Sequence, residues 1–316
     1  MLNFTDFTQE FINQCRSSLC AASHSDVMIE KCSITKPQYG VLTGLRFNMP
    51  AVDHAPTIYV EDMYEMYKRG HCIEQLSHEA ADIASRMLSM NMPFSKENID
   101  LENNIDSLQV RLLGKSKNEP LCDSAAYMDF GNGFILIADI VKDDFRAIIR
   151  RELIEGAGMT EDELFDLALR NASKGGTVFR KLSDVVFDEP ELGLEQEHDL
   201  LDTSCGIEID IASPYVLTNR EAYWGAAALY YPGVIERLCE LMGDFYIVPC
   251  SVHEVLIISA ASDIDPDNLG WMIKDANRTV VNDADILSDD LYICESGSVK
   301  KCSINGIIPE IHRNVC

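Results

Sequence analysis

Cys250, Ser251, His253 and Glu254 fall within one short connector, and they are the residue types from which a nucleophilic hydrolase is built. A serine or cysteine nucleophile needs an imidazole within hydrogen-bond reach, and the imidazole needs a third group to fix its tautomer. In that scheme Ser251 or Cys250 attacks, His253 takes the proton and Glu254 orients the ring. The spacing works against it. Neighbours in an extended chain point to opposite sides, so His253 and Glu254 diverge, and no G-x-S-x-G elbow lifts the serine out of its strand. The pattern favours a turn that holds a hydrogen-bonded histidine. Asn219 and Arg220, just past a strand-like YVLT, could add an amide and a guanidinium to the same edge, yet the same residues suit a helix cap ahead of Tyr223 to Leu229. Trp224, Tyr230 and Tyr231 surround the small residues Gly225 to Ala228, which is compatible with a ligand pocket but, in a segment this poor in charge, reads first as core.

Two further chemistries fail on spacing. His71, Glu74, His78, Glu79 and Asp82 resemble a zinc helix, but H-E-x-x-H places two imidazoles one turn apart, and here Asp82 stands where the second histidine belongs. A solvated helix face accounts for the cluster. Gly114-Lys115-Ser116 evokes a phosphate-binding loop, but Gln109 occupies the position of the first glycine, and no G-x-G-x-x-G is present. No cofactor and no metal are expected.

The elements that would position these residues follow from periodicity. Ser213 to Ala260 is the longest low-charge run of the chain. It predicts a helix from Pro232 to Gly243 carrying Ile235, Leu238, Cys239 and Met242, then an antiparallel pair, Phe245–Val248 and Val255–Ala260. Upstream, Phe4, Phe7, Phe11, Ile12, Cys15 and Leu19 make a helical stripe, and strands are expected over Val27–Ile34, Tyr39–Phe47 and Thr57–Val60. A helix over Ile73–Met87 follows. Leu108–Leu113 predicts a strand, and Gly131-Asn132-Gly133 a hairpin between Tyr127–Phe130 and Phe134–Ala138. Phe145–Ile154 reads as helix, as does the segment behind the Thr160/Glu163 capping box. Asp265-Pro266 opens a last helix through Val280, and Leu291–Cys294 reads as a closing strand.

Residues 184–210 hold ten acidic side chains and no lysine or arginine, and are expected to form a mobile acidic loop. The whole chain carries 26 basic and 52 acidic residues for a formal charge of −26. That balance argues against nucleic-acid and anionic-membrane binding and for solubility, while leaving open an acidic decoy that mimics nucleic acid. Eleven scattered cysteines without a CxxC pair predict reduced thiols. With no signal-like start and no long apolar run, the expectation is a cytoplasmic protein.

The succession YVLTN at Tyr215–Asn219, GAAALYYPGVIERLCELMGDFYIVPCSVHE at Gly225–Glu254, a helix bearing Met272 and Asn277, and LSDDLYIC at Leu287–Cys294 resembles domain-of-unknown-function family 5688, bacterial proteins found mainly in gut Clostridia. The resemblance covers the last half of the chain and implies a bacterial cytoplasmic origin. It brings no catalytic residue with it.

Together these patterns predict an α+β protein of two packed sub-domains, each a small, mainly antiparallel sheet with helices on one side, divided as 1–140 and 141–316. Because no catalytic or cofactor motif is complete, the function expected is non-catalytic binding or regulation through a protein or peptide partner. A hydrolase centred on Ser251 and His253 is the alternative.

Overall fold

The computed structural model describes residues 1–22, 26–50, 52, 54–90, 100–142, 145–187, 199–204 and 206–303. The chain forms two compact units, Met1–Asn103 and Asn104–Cys316. Among the described residues three antiparallel sheets are accompanied by helices, so the class is α+β.

The first unit opens with α1 (Phe4–Ala21), capped by Asn3, whose side chain accepts from the Asp6 N–H. Next come β1 (Met28–Lys36), β2 (Gly40–Asn48) and β3 (Thr57–Tyr59), a three-stranded sheet in that order. Two helices follow, α2 (Val60–Lys68) and α3 (Ile73–Ser89). The apolar stripe of α1 meets Leu45, Phe47, Leu76, Ala80 and Ala84 in one buried cluster. Helix α2 stands where the sequence reading had no element. Val60, Met63, Tyr64 and Tyr67 do recur at helical spacing, and their rings pack on α1: Phe4 meets Tyr64 edge-on at 5.3 Å, and Phe7 lies 5.0 Å from Tyr67.

In the second unit β4 (Leu108–Gly114) leads into α4 (Lys115–Cys122), and β5 (Tyr127–Asp129) into β6 (Phe134–Val141) through a turn with positive φ at Gly131 and Gly133. All of β4 pairs with β6, from Phe134 to Ile140. The other side of β6 is shared by β5 and by β7 (Arg146–Ile148). Here the expected helix over Phe145–Ile154 gives way: the helix, α5 (Arg151–Ala157), starts only after β7. The exposed backbone groups of β6 at Asp139–Val141 need partners, and β7 supplies them. A division at 140/141 would separate β7 from the strand it is bonded to.

Helix α6 (Glu161–Lys174) carries the complete Thr160/Glu163 capping box. It is followed by β8 (Thr177–Lys181), unexpected from the sequence, and α7 (Leu182–Phe187). Residues 188–198 and 205 of the acidic segment lie outside the described residues. Where it resumes, Asp199 accepts from the Thr177 hydroxyl at 2.7 Å and Leu200 is fully buried, so that end is tied to β8.

The remaining strands are β9 (Tyr215–Asn219), β10 (Phe245–Val248), β11 (Val255–Ser259), β12 (Tyr292–Glu295) and β13 (Ser298–Lys301). With β8 they form a six-stranded sheet in the order β13-β12-β10-β11-β9-β8. Helix α8 (Val234–Met242) precedes β10, and α9 (Pro266–Thr279), capped by Asp265, follows β11. Strand β13 extends the expected closing strand into a hairpin through Ser296 and Gly297, both at positive φ. Phe134 of β6 stacks on Tyr292 of β12 at 4.1 Å, and Phe130 on Tyr230 at 3.7 Å, which joins the two sheets of this unit.

Candidate functional site

The side chains that depart most from an ordinary interior gather where the loop after β9 meets one face of the β4–β6–β7 sheet. Gln109 lies opposite Asp139, so Arg111, two residues further along β4, shares its face; Arg146 lies opposite Val141 and joins the same side. Arg111 Nη2 donates to Asp139 Oδ1 at 2.7 Å, and Asp139 is 1% exposed. Burial pushes the Asp139 carboxyl above its usual range, against the pull of the Arg111 and Arg146 guanidiniums. Arg111 Nε and Asp139 Oδ2 are buried without a hydrogen-bond partner among the described residues. Each such group costs about 1–3 kcal/mol, so simple packing does not explain their presence.

The loop contributes aromatic rings. Arg111 lies 3.6 Å from the centroid of Trp224, and exposed Arg146 sits 4.4 Å over Tyr223 while donating to its hydroxyl at 2.6 Å. The Tyr223 and Trp224 rings are 4.7 Å apart. The result is a cluster of two guanidiniums and two tilted aromatic rings, each guanidinium within cation–π range of a ring. Trp224 and Ala222 both adopt left-handed backbone, with φ of 54° and 48°. For non-glycine residues that conformation is strained and persists only where the surroundings enforce it.

The enforcement is visible in Gly225 and His253. A Cβ on Gly225 would stand 2.0 Å from Thr218 Oγ1 and 2.6 Å from the His253 carbonyl oxygen, so only glycine permits the approach. The Trp224 N–H donates to His253 Nδ1 at 3.2 Å, and the opposite ring nitrogen, Nε2, faces Asp285 Oδ1 at 3.3 Å. In the neutral ring the proton therefore resides on Nε2. The Thr218 hydroxyl donates to the His253 carbonyl at 2.7 Å.

This places the sequence-predicted residues. His253 belongs to the cluster, as an anchor for the Trp224 backbone. The Ser251 hydroxyl accepts from the His253 backbone N–H at 3.0 Å, and both ring nitrogens of His253 are engaged elsewhere, so the ring directs no lone pair at Ser251. The Glu254 carbonyl accepts from the Ser251 N–H, completing a tight turn. Burial, with the Glu254 charge adding to it, pushes the Cys250 thiol up to about 12, far from a thiolate at neutral pH. Trp224 is at the centre. Asn219 shapes the loop, bonding to both the N–H and the carbonyl of Tyr223. Arg220 lies apart, against Gly176 where the Asp199 carboxylate also approaches.

Arg111, Asp139, Arg146, Tyr223 and Asp285 were not singled out from sequence. A signal was there for two of them: Arg111 interrupts LQVRLLG and Asp139 interrupts FILIADIV, and a charge within a buried strand requires a partner. Elsewhere, His78 faces Asp82 at 3.7 Å on the exposed face of α3, and among the described residues no three His, Cys, Asp or Glu side chains gather as a metal site requires. Among the described residues no helix is long and apolar enough to cross a membrane. Lys115, the lysine of the Gly-Lys-Ser sequence, pairs with Asp129 at 2.6 Å.

Comparison with curated proteins and with solved structures found no match in either set. A family model matches the chain over residues 8–296, nearly its full length. The chain therefore belongs to the Family of unknown function (DUF5688).

Proposed function

We propose that this is a bacterial cytoplasmic binding protein that recognises a protein or peptide partner through Arg146, Tyr223 and Trp224, with a carboxylate of the partner as the anchoring group. The observation that carries this reading is the exposed Arg146 guanidinium, held 4.4 Å from the Tyr223 ring centroid and hydrogen-bonded to its hydroxyl, and so ordered before any partner arrives. A guanidinium presents a planar fork of donors that matches a carboxylate, and fixing it in advance lowers the entropy lost on binding. The aromatic rings beside it offer apolar area to the rest of the partner. In a chain of net charge −26, a local pair of arginines also selects the acidic group against the background of the surface.

The test uses Trp224 as its own reporter. Trp271→Phe removes the other tryptophan, and the protein is titrated with peptides ending in or containing Asp and Glu against amidated, carboxylate-free controls. A saturable fluorescence change with the carboxylate peptides, reduced at least tenfold in affinity by Arg146→Ala, supports the reading. An unchanged signal across the panel, or equal binding by the Arg146→Ala protein, refutes it.

A further inference from the structure

Away from the aromatic loop, two cysteines of the second unit face each other. Cys239 on α8 and Cys294 on β12 are 55 residues apart in the chain, and their sulfur atoms lie 4.0 Å from each other, both as free thiols. Cys294 is fully buried beneath the helix, whereas Cys239 is partly exposed. The separation is about 2 Å more than a disulfide bond, a gap that a turn of the Cys239 side chain or a small shift of α8 can close. Cys20 and Cys72 are exposed, and Cys15 is buried against the Ser77 carbonyl.

We infer that Cys239 and Cys294 form an oxidative modification site, a dithiol that a peroxide converts to a disulfide. The partly exposed Cys239 sulfur attacks one oxygen of hydrogen peroxide; the O–O bond breaks, a sulfenic acid forms, and the departing hydroxide leaves as water with the thiol proton. The Cys294 sulfur then attacks the Cys239 sulfur, the S–O bond breaks, and the hydroxide lost takes the Cys294 proton as a second water. Two thiols are oxidised by two electrons and one peroxide is reduced to two waters. Burial holds the Cys294 thiol above its ordinary value, consistent with its acting second, on a sulfenic acid already in place, rather than on peroxide in solvent. The bond would pin α8 to the six-stranded sheet and close a long loop in the chain, which restricts the unfolded state.

The experiment is peptide mapping of the reduced, full-length chain after treatment with hydrogen peroxide, run without reductant. The expected result is one cross-linked peptide pair, Cys239 with Cys294, lighter by two hydrogens than the sum of its parts and reversed by dithiothreitol. The melting midpoint should rise by about 5 °C. In Cys294→Ser the intermediate should persist and be captured at Cys239 by dimedone. Cross-links dominated by other cysteines, or a Cys239 thiol that survives peroxide sufficient to oxidise Cys20 and Cys72, would overturn the assignment. Mapping the unmodified sequence decides the matter even if the serine variant folds poorly.

Discussion

The two units bury their interiors by different means. In the first, α1, α3 and the three-stranded sheet enclose Phe7, Phe11, Phe47, Leu45 and Leu76, and the buried polar residues described there, Thr8, Gln38 and Ser77, are neutral; the one buried carboxylate oxygen without a partner among the described residues of this unit belongs to Glu61, a partly exposed residue. The second encloses an apolar interior of similar character around Phe134, Leu112 and Ile137, yet also sinks Asp139 into it, ties it to Arg111 and leaves one polar atom of each without a partner among the described residues. A hydrophobic core accounts for folding in each case. The charged pair adds cost to the second unit without adding apolar area, and it lies directly under the strained Trp224 loop. The contrast is the physical ground for proposing the functional site in the second unit, since stability alone favours replacing such a pair by apolar residues.

The sharpest way to probe the first half of this contrast is Phe11→Ala. Phe11 is fully buried in a cluster held by packing alone, so its loss should lower stability by about 3–5 kcal/mol, read as a shifted urea midpoint. A loss well under that range would mean the cluster is loosely packed and the two interiors differ less than their composition suggests. Next in size is Gly225→Ala. The added methyl meets Thr218 Oγ1 and two backbone atoms within 2.7 Å, and a clash with backbone is not relieved by a rotamer change, so a loss of about 3 kcal/mol is expected. The Trp224 environment should change with it, seen as altered fluorescence in the folded protein. A Gly225→Ala protein with unaltered stability and emission would show that the loop is not held by its close approach to His253.

The smallest effect is a slope of stability with pH. Burial raises the Asp139 carboxyl above its unfolded value, so between the ordinary carboxylate range and that raised value the native state keeps a proton the unfolded chain has released. This group's contribution is therefore fully present at low pH and is lost as pH rises through that window. Asp139→Asn removes the titration. The stability of the variant relative to the parent should then climb from acid towards neutral pH, measured by urea unfolding at several pH values. The opposite slope would mean that attraction to Arg111 outweighs burial and that the pair stabilises the second unit after all.

Much of the scaffold was open to reading. The stripes of α1 and α3, the Gly-Asn-Gly hairpin, the Thr160/Glu163 cap and the β10–β11 pair behind α8 all arise from local pattern: apolar period, cap chemistry and turn chemistry act within a few residues. Strand β8 and the short β7 were missed because each is defined by the neighbour it completes, β9 for one and the free side of β6 for the other. For the site, His253 and Trp224 drew attention by residue type, and local spacing already favoured a hydrogen-bonded turn histidine over a base for Ser251, but the partners it bonds, the Trp224 N–H and Asp285, lie 29 and 32 residues away and no local pattern names them.

The amino-acid sequence by itself determined the α+β class, the membership signalled along Tyr215–Cys294 and the positions of the main helices, because hydrophobic periodicity is written residue by residue. Only the tertiary structure decided that Arg111, Asp139 and Arg146 share a sheet face, that they meet Tyr223 and Trp224 from a loop about 80 to 110 residues further on, and that His253 turns to Trp224 and Asp285. Those meetings depend on strand register and on one glycine-dependent close approach, properties of paired segments that no single stretch of sequence contains.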